Sequence, residues 1–319
     1  MKTLARIFLA LASATAPLAA ADTVELKQRW DAGKQYFYTA QTSQQSSVTF
    51  GPQKMDQAVK MTMEMDVAVR PHEDGKRKRL TIRYDRMAMD MSMNDQKLGY
   101  DSAKPDEGTD PLGFGKTFGA MIGKELKILT DEKDVVSDVE NFDEYIKQLT
   151  AGGGPAGMDI TKMFTREGLL QTMKQGSLQA FPGHPVTAGD TWPFSNHITM
   201  PQVGTVTVKG TYTFKGMVDH GGVQCAEILT DGTITMEAAA GGAEAGAAGG
   251  LAALGVKVTD GSIKGPVWFD PKLGTARDAD LTQDMTISMK NPVDPAAADL
   301  TVPLKQSVKT TLTKVEDLK

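Results

Sequence analysis

The sequence predicts an α+β protein built mostly of curved antiparallel β-sheets, arranged like a half-open barrel, with a few short helices in the middle of the chain. Three observations carry this prediction. Apolar and polar residues alternate over long stretches near both ends of the chain, turn-forming residues separate those stretches, and helical signals lie only between them.

The clearest strands form a hairpin in the first third of the chain. Apolar residues at every second position from Val59 to Val69 face one side, while charged and polar residues face the other. Pro71 to Gly75 supplies turn residues, and alternation resumes at Leu80. We therefore expect a long antiparallel hairpin, preceded by a strand over residues 35–50 that is rich in Tyr, Thr, Ser and Gln.

The middle of the chain carries the helical signals. A short helix is expected over residues 114–122, followed by a hairpin around residues 131–134. Asn141 is positioned to cap a helix through Leu149, and Thr165 is positioned to cap another.

Strands return beyond Phe181 and continue to residue 315, interrupted by an Ala/Gly-rich stretch at 238–255. The glycines of this stretch disfavour a stable helix, so we predict a mobile loop. The predicted organisation is a signal peptide over 1–21, a β-rich half over 22–158, and a helix with a second β-rich half over 159–319, packed as one bipartite unit.

The first 21 residues predict export. Lys2 and Arg6 precede a short apolar run, and small residues lead to a cleavage site near Ala21, which is typical of a secretory signal peptide. We expect a periplasmic or secreted protein without a transmembrane segment. Cys225 has no partner for an internal disulfide and is predicted to be a buried, inert thiol. A net charge of -5 without a basic stripe argues against a nucleic-acid partner.

Motifs of the common hydrolases are absent from the sequence. It contains neither a Gly-x-Ser-x-Gly elbow nor a His-Glu-x-x-His zinc motif. The four histidines, His72, His184, His197 and His220, are scattered and are interpreted as surface residues. Asp278, Asp280 and Asp284 follow strand spacing but lack the glycine-bearing loop of a calcium site. We therefore predict a non-enzymatic protein with no catalytic residue, no cofactor and no metal site.

Methionine is the one unusual feature of the composition. Eight of the 18 methionines lie between residues 55 and 93, at alternate positions of two predicted strands. They could fill an irregular core, line an adaptable apolar cavity, or place thioethers around Cu(I). The candidate ligand-binding residues are Met61, Met63, Met65, Met89 and Met91, and the expected ligand is an apolar small molecule or a lipid. The alternatives are a structural or interaction protein of the envelope with a filled core, and a Cu(I)-binding protein.

Several motifs spread over most of the predicted mature chain resemble an uncharacterised family of bacterial secreted and lipoprotein-like proteins of unknown function. Besides the Met-rich strand pair, they are Gly33-x-x-Tyr36-x-Tyr38, Phe164-Thr165-x-Glu167-x-Leu169, Pro185-Val186-x-x-Gly189-Asp190-x-Trp192 and Gly265-x-Val267-x-Phe269-Asp270-x-x-x-Gly274. The resemblance implies a shared scaffold without a known catalytic residue. This chain lacks the lipid-attachment Cys of the lipoprotein-like members. Its element order is also similar to half-open barrels that carry lipids in the bacterial envelope.

Overall fold

A computed structural model describes residues 23–50, 53–94, 96–105, 114–150, 165–178, 181–200, 204–238, 255–290 and 298–318. Twelve strands and three helices lie within these ranges. They are β1 (Lys34–Phe50), β2 (Gln53–Pro71), β3 (Lys78–Met93), β4 (Gln96–Asp101), α1 (Phe114–Met121), β5 (Glu125–Thr130), β6 (Val136–Val139), α2 (Phe142–Thr150), α3 (Arg166–Leu178), β7 (Thr191–Met200), β8 (Gly204–His220), β9 (Val223–Ala238), β10 (Lys257–Asp270), β11 (Thr275–Met289) and β12 (Leu300–Asp317).

All twelve strands form one antiparallel sheet in the order β6-β5-β3-β2-β1-β12-β11-β10-β9-β8-β7, with β4 paired to β3. Most neighbours in the sheet are also neighbours in the chain, so each half of the chain forms a meander. The two halves meet where β1 pairs with β12, from Lys34 opposite Asp317 to Ser46 opposite Leu304. The first and last strands therefore lie side by side in the middle of the sheet.

The predicted Met-rich hairpin is confirmed as β2 and β3. Their register runs from Gln57 opposite Met93 to Pro71 opposite Lys78, with one bulge near Met65. Because side chains alternate across a strand, the odd-numbered residues of β2 share one face. We call this side of the sheet the inner face, because both hydrophobic cores lie on it.

The first core packs the helices on β1, β2, β3, β5, β6 and β12. Tyr36, Val69, Ile128 and Val139 are almost completely buried there, and Tyr145 of α2 packs against them. The second core lies under β7 to β10 and contains Trp192, Phe214, Ile228 and Phe269, together with Leu26 and Val186 from outside the strands.

Residues 23–33, which we call the basal segment, cross one end of the sheet. Val24 pairs with Val186 beside the second core, and the Arg29 amide donates to the Gly274 carbonyl at 2.8 Å. The Trp30 amide donates to Asp134 at 3.3 Å, and the Trp30 ring meets Tyr36 of the first core edge-on. The basal segment thus connects the two cores and closes the base of the inner face.

Helix α3 contacts both β6 and β7, the two edge strands of the sheet. A helix is only about 10 Å wide, so a sheet whose opposite edges both touch one helix must curve. The sheet is not closed, because a helix, not a strand pairing, lies between its edges. The predicted curved antiparallel sheet fits this arrangement, whereas three short helices support the α+β label only loosely.

Two predicted helix caps have different outcomes. The Thr165 hydroxyl accepts from the Gly168 amide at 3.0 Å, as expected of a capping residue at the start of α3. Asn141 precedes α2, but its side chain bonds to Glu125 and Lys127 of β5 at 2.8 Å each. The Asn141 side chain therefore joins the start of α2 to β5 and does not cap the helix as predicted.

Some predictions concern residues outside the described ranges. These are the signal peptide and residues 239–254 of the Ala/Gly-rich stretch. None of the helices within the described part of the chain has the length and apolar character needed to cross a membrane.

Candidate ligand-binding face

The inner face is uncharged above the base of the sheet. The five central strands carry only apolar, aromatic, Thr, Ser and Gln side chains at the described inner positions in this region. These positions are 36–46 on β1 and 57–67 on β2 at every second residue, 82, 84, 87, 89, 91 and 93 on β3, 279–285 on β11 and 304–312 on β12 at every second residue. Charged residues of the same strands alternate onto the opposite, outer face.

The structure brings the candidate methionines together on this face. Met61 lies directly opposite Met89, and Val59 between Met61 and the strand end lies opposite Met91. Met63 lies opposite Met87, so two consecutive cross-strand pairs consist of methionines only. Directly opposed side chains have Cβ atoms about 4.5–5.5 Å apart, which allows these thioethers to contact one another.

The five candidates differ in burial. Met89 is only 6% exposed, whereas Met61, Met63, Met65 and Met91 are half-buried. Helix α1 accounts for part of the difference, since it contacts β3 and β4 and its Phe118 ring lies 6.3 Å from the ring of Tyr100. Tyr100 is the β4 residue opposite Met89. None of the five belongs to either hydrophobic core.

Met65 marks the lower limit of this region. It lies between Tyr38 of β1 and Tyr84 of β3. Burial raises the pKa of Tyr38 to about 12 and also raises the pKa of Tyr84. Both rings are half-buried between the first core and the methionine pairs, and this burial is the cause of the raised pKa values.

The outer face carries the charges in paired form. Asp66 is buried and accepts from Arg83 at 2.8 Å and from Gln35 at 2.8 Å. Arg86 bridges Glu64 and Asp101, and its hydrogen bonds lower the pKa of Asp101 to about 2. Charge pairing thus stabilises the solvent side of the strands whose inner side is apolar.

Two cavities lie away from the methionine pairs. One of about 320 Å³ is polar and lined by Asp66, Arg70 and Arg83 on the outer face. Another of about 400 Å³ lies near the β1–β2 turn and is lined by residues that include Ser47, Asp56 and Lys305. Neither is lined by a candidate methionine.

Sequence reasoning missed a cluster around His220. Its Nε2 lies 2.7 Å from an Asp278 oxygen, its ring stacks on Trp268 with centroids 4.3 Å apart, and Thr311 donates to the other Asp278 oxygen at 2.7 Å. His220 is thus held against the sheet by Asp278 and Trp268. The interpretation of His220 as an unengaged surface histidine is therefore wrong. Asp278 is already engaged by His220 and Thr311. No local motif joins β8 to β11, so only the tertiary structure reveals the cluster.

Sequence reasoning also missed a row of amides on the inner face. Gln44 of β1 lies opposite Gln306 of β12, which lies opposite Gln283 of β11. All three side chains are half-buried. The sequence does contain a sign of this row. Gln306 occupies an inward-facing position between Leu304 and Val308, where the alternating pattern would lead one to expect an apolar residue.

Solved structures resemble the chain only distantly. A structure of lipovitellin covers 91% of this chain at 10% sequence identity and a TM-score of 0.46, and the chain spans 26% of the lipovitellin chain. DynF from the dynemicin biosynthesis pathway of Micromonospora chersina covers 94% of this chain and 88% of its own, at 7% identity and a TM-score of 0.22. A DUF1329 family protein from Desulfovibrio piger covers 88% and 85%, at 7% identity and a TM-score of 0.14. Likeness at these TM-scores does not transfer a ligand or an activity.

No curated protein matches this chain. One family model does, and it spans residues 75–275, from the β2–β3 turn to the start of β11. This range includes α1, the Met-rich half of β3 and the second core apart from Leu26. The predicted resemblance to an uncharacterised family is confirmed: the chain belongs to the Family of unknown function (DUF6263).

Proposed function

We propose that the chain is an exported, non-enzymatic protein that binds an apolar ligand, such as a lipid chain, on its inner face. One observation carries the proposal. The described inner positions of the five central strands are uncharged above the base, and the half-buried methionines among them belong to neither core. The signal-peptide pattern supports export, and the lack of hydrolase motifs supports a binding role.

An acyl chain suits this surface physically. Covering the half-exposed Met61, Met63 and Met91 removes apolar area from water, at about 25 cal/mol per Å². Thioether side chains are flexible and polarisable, so one surface can adjust to chains of different length. The ligand would lie above Tyr38 and Tyr84, and the basal segment closes the same end of the inner face below these two rings.

A filled structural core is the competing interpretation. It accounts for Met87 and Met89, which are 4% and 6% exposed. It accounts less well for Met61 and Met63, their cross-strand partners, which remain half-buried. Well-packed interiors leave few such gaps.

Diphenylhexatriene fluorescence on the purified chain tests the proposal. Met61→Glu places a carboxylate on the inner face and should weaken dye binding at least tenfold, because burying an unpaired charge is costly. Thr62→Glu, on the outer side of the same strand, is the matched control and should leave binding within twofold. Urea unfolding of both variants checks that they fold.

Three results count against the proposal: no dye uptake by the wild-type chain, equal losses in the two variants, and no ligand retained in native mass spectrometry after gentle purification. Each of them favours a structural or interaction role with a filled core.

Cu(I) binding is a second candidate because two methionine pairs occupy consecutive positions, Met61 with Met89 and Met63 with Met87. Leu has nearly the volume of Met but no sulfur. The double variant Met61→Leu/Met89→Leu should keep dye binding if the ligand is apolar, and should lose Cu(I) affinity if the thioethers hold copper. Competition with bicinchoninate for Cu(I) measures the latter, and a wild-type chain that does not compete excludes the copper site.

A further inference from the structure

The row formed by Gln44, Gln306 and Gln283, which we call the glutamine row, crosses the middle of the inner face. Cross-strand register extends it in both directions. On one side Gln44 lies opposite Val59 and then Met91, and on the other side Gln283 lies opposite Ile263. Beyond Ile263 the same line continues through glycines to Phe194. Three amides thus lie between two apolar flanks.

The apolar flank at Phe194 is built for close contact. A Cβ at Gly232 would lie 2.9 Å from the Phe194 ring and 3.2 Å from the Ile263 side chain, so both side chains cover this glycine. Phe194 also stacks on Tyr212 with ring centroids 4.5 Å apart. The glutamine row therefore borders Ile263 on one side and Val59 on the other, with Phe194 lying beyond Ile263 and Met91 beyond Val59.

The three carboxamides have unused hydrogen-bonding capacity. Within the described ranges none of them makes a side-chain hydrogen bond, although all are half-buried. Two further polar atoms on the inner face, Asn196 Oδ1 and Thr230 Oγ1, are fully buried and lack a partner among the same residues. Buried polar groups normally have partners, because leaving them unpaired costs free energy.

Among the described residues of the five central strands, no charged side chain shares the inner face with the row above the base. Lys305, next to Gln306 in sequence, and Lys309, three residues further on, are both exposed on the outer face. A carboxylate or phosphate at the row would meet amide dipoles only and would lose its hydration without gaining a cation. An uncharged ester or amide can instead accept hydrogen bonds from the Gln NH₂ groups, and a hydroxyl can donate to the Gln carbonyls.

We infer that the ligand is an amphiphile with a neutral ester or amide next to its acyl chain, read by Gln44, Gln283 and Gln306, with the acyl chain lying on the methionine pairs. This inference rests on the proposed function and names its ligand class. It excludes free fatty acids and pure hydrocarbons as the preferred ligands.

Three probes on the full chain test it: monooleoylglycerol, which has a neutral ester, oleate, which has a carboxylate, and diphenylhexatriene, which has no polar group. The wild-type chain should bind monooleoylglycerol at least about tenfold more tightly than oleate. Gln306→Leu should weaken monooleoylglycerol about threefold to tenfold, the range of one or two lost hydrogen bonds, and leave diphenylhexatriene within twofold. Gln41→Leu, on the exposed side of β1, is the matched control and should change neither. Gln283→Leu serves as a second variant should Gln306→Leu fold poorly.

The outcomes separate the two proposals. If the wild-type chain binds none of the probes, the proposed function itself fails. If it binds diphenylhexatriene but prefers oleate, or if Gln306→Leu and Gln283→Leu leave monooleoylglycerol binding unchanged, only the ligand class is wrong. Equal weakening of monooleoylglycerol and diphenylhexatriene assigns the glutamine row a structural role and also overturns the inference.

Discussion

The contact between the basal segment and the β10–β11 turn makes a specific stability prediction. Gly274 has a φ of +74°, and its carbonyl accepts from the Arg29 amide at 2.8 Å. A Cβ added at Gly274 would lie 2.9 Å from the Arg29 nitrogen and 3.1 Å from its Cα. These are backbone atoms, so no side-chain rotation relieves the clash.

The cost of Gly274→Ala can be worked out from two contributions. A left-handed backbone costs a non-glycine residue about 1–2 kcal/mol. Displacing Arg29 also breaks its hydrogen bond to Gly274, worth about 1 kcal/mol, and loosens the hold on Leu26 in the second core. We expect a loss of about 2–4 kcal/mol in the free energy of unfolding.

Gly75→Ala is the matched control for that variant. Gly75 has a φ of +68°, and a Cβ there would meet nothing within 4 Å. Only the backbone contribution applies, so the expected loss is about 1–2 kcal/mol. Urea unfolding followed by Trp fluorescence measures both, with equal m-values required for the comparison. Equal losses in the two variants would show that the basal segment does not hold this turn.

Three further predictions concern titratable groups. Cys225 is fully buried and burial raises the pKa of its thiol, so a disulfide reagent should react with it only as fast as the chain unfolds; rapid labelling of the native chain contradicts this. Arg86 lowers the pKa of Asp101 from 3.8 to about 2, so this pair stabilises the fold above pH 3.8 and the stabilisation is lost as pH falls through about 2. Asp101→Asn should therefore flatten the acid side of the stability curve, and an unchanged acid slope refutes the assignment. Burial raises the pKa of Tyr38 from 10.0 to about 12, so the protonated phenol stabilises the fold below pH 10 and this stabilisation is lost as pH rises through about 12. Tyr38→Phe should therefore reduce the alkaline loss of stability, measured together with tyrosinate absorbance. An alkaline curve identical to that of the wild-type chain argues against a buried phenol.

Alternation was sufficient to predict the hairpins. From Val59 to Val69 every second residue is apolar, and a one-residue shift in register would turn that entire set to water, so the pattern specifies the face as well as the strand. Turn residues such as Pro71 and Gly75 fixed where the chain reverses. These signals are local, and they predict the pairing correctly because β2 and β3 are neighbours both in the chain and in the sheet.

Long-range pairings could not be predicted in this way. His220 and Asp278 belong to strands that are not neighbours in the sheet order, and neither has a distinctive sequence context. The Asn141 side chain was expected to cap α2, but β5 offered it two backbone partners. In each case the hydrogen-bond partner of the side chain depends on which strand lies next to it in the fold. The alternation of apolar and polar residues does not specify that neighbour.

The pairing of β1 with β12 bears most directly on function. Gln44 lies on β1 and Gln306 on β12, so the glutamine row exists only when the two ends of the chain have paired. Met61 and Met89, by contrast, lie on one hairpin and come together through local contacts. The proposed apolar contact is thus local, whereas the proposed polar contact reports completion of the sheet. A chain with an unpaired β12 would keep the methionine pairs but lose the row, and would therefore bind hydrocarbon probes without distinguishing a neutral ester from a carboxylate.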